Sequence, residues 1–227
     1  FNASDFLDRT RNGRIVFAGD SIGRNQWESL LCMLSQGVSN HSTIREEYGN
    51  PITKHNGFLS MRFDEHNLTI EYYRTPYLVT VSRPPKNTLK DVRGTIRVDM
   101  LHWYSEKWAA ADVLVFNAGH WWNHYKTLDM YVQSSGTITL SFLLVVRICR
   151  GIYFQEGGTV NMSMGVMEAF RRSLETWKLW ATLKLDPATS FTFFRSYSPV
   201  HYRQVFDRDT ISFLWQHWQY TCAYKYI

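Results

Sequence analysis

The sequence predicts an α/β fold, with a mostly parallel sheet covered by helices on both faces. Three observations carry that expectation: short apolar runs of β-prone residues, amphipathic helical segments between them, and a strand-turn-helix junction near the N-terminus. A chain of 227 residues buries a sizeable core and fits one such domain. Aromatic residues make up 16% of it, nine of them Trp, which excludes a disordered segment and supplies a large core or a carbohydrate-facing cleft.

The elements follow in chain order. Ile15-Val16-Phe17-Ala18 is a short apolar strand that runs into Gly19-Asp20-Ser21. Trp27, Leu30, Leu31 and Leu34 then recur at helical spacing. Leu68 to Tyr73 alternates as a strand and is stopped by Pro76, while Asp112 to Asn117 is a continuous run suited to a buried central strand. Between Ser163 and Leu185, the residues Val166, Phe170, Leu174, Trp177 and Ala181 fall on one helical face. Asp186-Pro187 ends that helix ahead of a strand at Phe191-Thr192-Phe193-Phe194. Alternation of this kind places active-site groups on loops at the carboxyl ends of the strands.

Ser21 stands where a nucleophile is well served. A turn at the end of a buried strand exposes its hydroxyl, and the following helix N-terminus offers backbone N–H groups and a positive dipole. Gly19 and Gly23 permit a tight backbone there. The bland reading is a plain strand-to-helix turn with Ser21 as an N-cap. Gly19-Asp20-Ser21-Ile22-Gly23 also satisfies the G-x-S-x-G elbow of α/β-hydrolases, but it follows the first visible strand and no His-Gly-Gly loop precedes it.

Four blocks read together are more specific: Phe17-Ala18-Gly19-Asp20-Ser21-Ile22-Gly23-Arg24-Asn25-Gln26, Tyr73-Arg74-Thr75-Pro76-Tyr77-Leu78-Val79, Val115-Phe116-Asn117-Ala118-Gly119-His120-Trp121-Trp122, and Phe193-Phe194-Arg195-Ser196-Tyr197-Ser198-Pro199-Val200-His201. Together they resemble the trichome-birefringence-like family of plants, whose members carry a PC-esterase domain. The resemblance implies an SGNH/GDSL-hydrolase-like three-layer α/β/α domain, here spanning residues 1–203, and transfer of acetyl groups to xylan, pectin or another hemicellulose. It implies Ser21 as the acetyl-accepting nucleophile. Gly19, Asp20, Arg24, Asn25, Asn117 and His120 become oxyanion or substrate-binding residues, with the Ser21 backbone N–H and the Asn117 side chain as the oxyanion donors. Gly49 and Gly57 are both candidates for the glycine that the SGNH pattern adds to that set. The implied co-substrate is an acetyl donor derived from acetyl-CoA, with no bound cofactor and no metal, and the implied partner is a cell-wall polysaccharide.

The sequence departs from the family pattern in two places. Residues 128–150 form an atypical insert, and residues 204–227 an atypical tail in which the family's Asp-x-x-His is not found, so the domain reads as incomplete. One Asp-x-x-His does occur, at Asp99-Met100-Leu101-His102, but it precedes Asn117, whereas the SGNH order places the pair after it. It is expected to be a decoy, with His102 packed beside Trp103. His120 is expected to shape the glycan or acetyl cleft, and His201 to be a structural or substrate-contacting residue, rather than act as the base. Two alternatives to transfer stand: an SGNH-type acetylesterase, and a non-catalytic polysaccharide-binding fragment in which Trp121 and Trp122 stack on sugars.

Compartment rests on the sequons at Asn2, Asn40, Asn67 and Asn161, where about one is expected by chance. They point to a secretory lumen, and the resemblance to the lumenal side of the Golgi membrane in a type II protein. The longest apolar stretch, Ile138 to Val146, is too short to span a bilayer, and the chain opens on Phe1, so a membrane anchor is expected upstream. Cys32, Cys149 and Cys222 allow at most one intrachain disulfide. The net charge of +5 suits an acidic glycan such as pectin, but Lys and Arg form no long run and no nucleic-acid partner is expected.

Overall fold

A computed structural model of the chain describes residues 1–53, 56–89, 92–128 and 151–196. The backbone divides into two compact units. The first comprises Phe1–Pro76, Tyr104–Ala118 and the chain from Leu185 onwards, and the second comprises Tyr77–Trp103 and Gly119–Lys184. The atypical tail and nearly all of the atypical insert, with His201, Cys149 and Cys222, lie outside the described residues.

In the first unit, helix α1 (Ala3–Arg9) leads into strand β1 (Arg14–Gly19) and helix α2 (Ser21–Ser35). Strands β2 (Ile44–Glu46), β3 (Phe58–Phe63) and β4 (Leu68–Arg74) follow. Strands β5 (Val79–Ser82) and β6 (Gly94–Leu101) belong to the second unit. Helix α3 (Ser105–Trp108) and strand β7 (Val113–Asn117) return to the first. The second unit is completed by β8 (Ile152–Glu156), β9 (Thr159–Asn161) and helix α4 (Val166–Lys184), and the first by β10 (Phe191–Arg195).

The six strands of the first unit run in the order β10-β7-β1-β4-β3-β2. The first four in that order, β10, β7, β1 and β4, are parallel, with Phe17 level with both Tyr72 and Val115, and Val115 level with Phe193. β3 and β2 add an antiparallel edge. α2 packs on one face through Trp27, Leu31 and Leu34, which join Ile15, Phe17, Leu59, Met61, Ile70 and Tyr72 in one core. Trp27 also donates its Nε1–H to the Ile70 carbonyl at 3.0 Å. On the other face Trp108 of α3 meets Phe116 edge-on at 5.3 Å.

β4 does not alternate in exposure. Six of its seven residues are buried, because both sheet faces are covered there. β10, by contrast, is an edge strand with Phe191 and Phe193 exposed.

The second unit is a mixed sheet in the order β5-β6-β8-β9, with only β6 and β8 parallel. α4 lies on it by Val166, Ala169 and Ser173, and Thr176 donates to the Val98 carbonyl at 2.6 Å. That seam is rotated by about one residue from the expected Val166-Phe170-Leu174 stripe, because small Ala169 and Ser173 bring the helix close to the strands. Trp122, buried to 5% exposure, fills this core with Phe154 and Tyr77.

Candidate active site

The C-terminal end of β1 carries the site. Asp20 leaves the strand in an extended conformation and caps α2, its Oδ1 accepting from the Ile22 N–H at 2.9 Å, while its carbonyl accepts the first helical bond, from Arg24 N–H at 3.1 Å. Ser21 is therefore the first residue of the helix, and it is exposed. Its hydroxyl sits among the N–H groups of a helix start, where developing negative charge is favoured. Among the described residues no side chain hydrogen-bonds it.

Behind Ser21 is a buried polar cluster. Asp20 is 1% and Asn117 4% exposed. Asn117, the last residue of β7, donates from Nδ2 to Asp20 Oδ1 at 2.5 Å. Asp20 Oδ2, Asn117 Oδ1 and Thr75 Oγ1 are all buried without a hydrogen-bond partner among the described residues. Buried polar atoms are rarely left so, and such atoms mark strained or functional positions. The cluster is tied to the sheet twice more: Tyr72 donates its hydroxyl to the Asp20 carbonyl at 3.1 Å, and Thr75 N–H donates to the Gly19 carbonyl at 2.7 Å. Burial keeps the Tyr72 phenol protonated far above the ordinary tyrosine range.

Gly19 is required by close approach. A methyl group on its Cα would stand 2.0 Å from Asn117 Oδ1 and 2.5 Å from the Asn117 carbonyl oxygen. Arg24 is 8% exposed and already engaged: Nε pairs with Glu28 at 2.7 Å, Nη1 donates to the Thr53 carbonyl at 2.6 Å, and the guanidinium lies 6.0 Å from the Tyr72 ring centre. Asn25 is half-buried one residue further along α2. Of the two candidate glycines, Gly57 is the better placed. Its carbonyl accepts from Arg74 N–H at 2.8 Å, and Arg74 is level with Gly19 across the sheet. Gly49 follows β2, at the edge of the sheet and two strands beyond β4.

The structure thus brings Gly19, Asp20, Ser21, Arg24 and Asn117 together. His120 belongs to the second unit, where it is exposed and its carbonyl accepts from Asn123. The Asp99 carboxylate is held by Arg97 at 2.8 Å and by the Gly157 N–H at 2.7 Å, and His102 packs beside Trp103, ring centres 5.5 Å apart. His41 and His66, the described histidines of the first unit, sit past the C-terminus of α2 and before β4, at the opposite end of the strands. Neither reaches Ser21. Among the described residues no group of His, Cys, Asp and Glu is arranged to hold a metal ion.

Sequence reasoning missed Thr75 and Tyr72 as members of the cluster. Both lie in or beside a block that stood out, but only the parallel register of β1 with β4 shows that they reach the Gly19-Asp20-Ser21 turn.

A mostly parallel sheet with a Ser-led helix after its first strand, an acidic cap and an Asn from a neighbouring strand is an arrangement suited to acyl transfer. The chain belongs to the PC-Esterase family, a GDSL/SGNH-like acyl-esterase family found in Pmr5 and Cas1p, which it matches over residues 1–210. It is 58% identical over 203 residues to protein trichome birefringence-like 9 of Arabidopsis thaliana, covering 89% of this chain and 44% of that protein. Protein trichome birefringence-like 6 and protein trichome birefringence, both from the same plant, are 39% and 36% identical over 89% and 88% of this chain and 38% and 30% of their own lengths. The chain therefore spans less than half the length of these relatives.

Proposed function

We propose that the protein transfers acetyl groups to a cell-wall polysaccharide through an acetyl ester on Ser21. The observation that carries the reading is the exposed Ser21 hydroxyl at the start of α2, backed by the buried Asp20–Asn117 pair. In the first half-reaction Ser21 Oγ attacks the carbonyl carbon of the acetyl donor, losing its proton to a general base. The donor's own acyl bond breaks, and its leaving group takes up a proton. In the second half-reaction a sugar hydroxyl gives its proton to the general base and attacks the Ser21 ester, the Oγ–acyl bond breaks, and Oγ takes that proton from the base. N–H groups at the α2 start serve the oxyanion in both halves, together with the Asn117 Nδ2–H that is not given to Asp20.

The acetyl donor derives from acetyl-CoA, and the acceptor is xylan, pectin or another hemicellulose, with the +5 charge favouring acidic pectin. The setting is the Golgi lumen; the side chains at Asn2, Asn40, Asn67 and Asn161 are all exposed, as attachment of glycans there requires. A second reading, deacetylation, draws support from the acyl-esterase description of the family. It uses the same ester on Ser21 with water as the acceptor. Binding by paired tryptophans without catalysis draws none, since buried Trp122 offers no face to a sugar.

Incubation with a radiolabelled acetyl donor and deacetylated glycan tests the proposal. Label is expected on Ser21 and then on glycan, and Ser21→Ala is expected to lower both by at least about a thousandfold. Label released only as acetate would establish the esterase instead, and undiminished labelling in Ser21→Ala would remove Ser21 from either role.

A further inference from the structure

We infer that Gly23 is a positioning residue: its bare Cα forms half of the slot that locks the Asn117 carboxamide against Asp20. Gly23 lies in the first turn of α2, buried, two residues after Ser21. It is not among the residues of positive φ, so nothing in the backbone demands a glycine there. What demands it is space. A methyl group on Gly23 would stand 2.1 Å from Asn117 Oδ1 and 3.2 Å from the carboxamide carbon.

The opposite wall of the slot is Gly19, at 2.0 Å from the same oxygen by the same measure. The two glycines bracket Ser21 in sequence, so the carboxamide is gripped between the residues on either side of the nucleophile. Its Nδ2 is drawn to Asp20 Oδ1, which leaves one orientation of the amide and turns Oδ1 towards the glycines. A glycine in a helix interior weakens the helix relative to alanine, so its presence in the first buried turn needs a reason of this kind.

The two walls differ in a way that makes the inference testable. At Gly19 the methyl group would also meet the Asn117 backbone oxygen at 2.5 Å, whereas at Gly23 the three nearest atoms all belong to the Asn117 side chain. Removing that side chain therefore relieves the clash at Gly23 and not at Gly19. The inference rests on the acyl-transfer reading for its catalytic consequence, but the packing claim stands apart from it.

The experiment is a double-mutant cycle on the full chain, with Gly23→Ala, Gly19→Ala and Asn117→Ala made singly, each glycine change combined with Asn117→Ala, and Ser21→Ala as the control for the burst. Melting temperature and the burst of p-nitrophenol from p-nitrophenyl acetate are read for each. Gly23→Ala alone is expected to lower the melting temperature by several degrees, or to abolish folding. In the Asn117→Ala background it is expected to raise it, since alanine is the better helix former. Gly19→Ala is expected to be harmful in both backgrounds. The burst rate is expected to fall at least tenfold in Gly23→Ala with KM little changed, and to fall no further in the double variant than in Asn117→Ala alone. A rise in melting temperature for Gly23→Ala in the native background would overturn the slot, as would equal effects in the two backgrounds. Thermal coupling with a burst that never depended on Ser21 would leave the slot standing and sink the acyl-transfer reading.

Discussion

Arg24 illustrates how a residue can sit beside a reactive group and still be committed elsewhere. It follows Ser21 by one helical turn, and its side chain is more buried than its partner's, 10% against 19% exposed for Glu28. With Nε on Glu28 and Nη1 on the Thr53 carbonyl, it joins α2 to the segment before β3. Arg24→Ala leaves a carboxylate and a carbonyl without their donors, a loss of about 2–4 kcal/mol by analogy with broken buried pairs. Arg24→Lys keeps the charge but not the two-pronged geometry, and should recover about half of that. Chemical denaturation checks both, and an Arg24→Ala protein as stable as the parent would show that the guanidinium is free for substrate. Ser21, Asp20 and Asn117 were legible in the sequence, because a short motif and a neighbouring block named them. The role of Gly23 was not, since a glycine two residues after a serine acquires meaning only when β7 delivers Asn117 to it.

At the scale of elements, α2 is the part that both builds the core and presents Ser21. Trp27 couples the two tasks. It is fully buried, its ring lies 6.1 Å from that of Tyr72, and its Nε1–H satisfies the Ile70 carbonyl. Tyr72 in turn donates to the Asp20 carbonyl, so the packing of α2 on β4 and the cap of α2 share one residue. Trp27→Phe keeps most of the apolar surface but removes the Nε1–H bond to the Ile70 carbonyl, at a cost of about 1 kcal/mol. Trp27→Ala adds a cavity, for a total of about 3–5 kcal/mol. Urea midpoints give the two values, and a Phe variant as damaging as Ala would show that volume and not the hydrogen bond dominates. The strand-turn-helix at Ile15 to Leu34 was legible because local propensity and tertiary burial agree there. The antiparallel β2-β3 edge and the small sheet of the second unit carry no strong sequence period, and the seam of α4 was set by small residues that a search for large apolar ones passes over.

At the scale of the whole chain, the two units differ in how they meet acid. Among the described residues His102, Asp99 and Glu168, all in the second unit, are held away from their ordinary titration ranges in the sense that makes acid destabilising. Burial pushes the His102 imidazole down to about 4. The unfolded chain then takes up a proton at that ring below about pH 6.5 while the folded chain does not, so stability is complete above that pH and drains away between about 6.5 and 4. The full displacement corresponds to about 3 kcal/mol, and the ring's remaining contact with water reduces the expected loss to about 1–2 kcal/mol. Asp99 acts in the same direction, its carboxyl drawn below the usual range by the Arg97 hydrogen bond with help from the Gly157 N–H, so its contribution is lost as pH falls through that lowered value. In the first unit the large displacements belong to Tyr72 and Tyr73, which burial holds neutral above the ordinary tyrosine range, so their penalty begins only above about pH 10. Amide hydrogen exchange, corrected for intrinsic rates, should therefore show β6, β8 and the first half of α4 losing protection between pH 7 and 5, while β1, β4 and β7 hold theirs. His102→Gln should flatten that loss. Protection that falls first in β1 and β4, or an acid response unchanged in His102→Gln, would place the sensitivity in other groups.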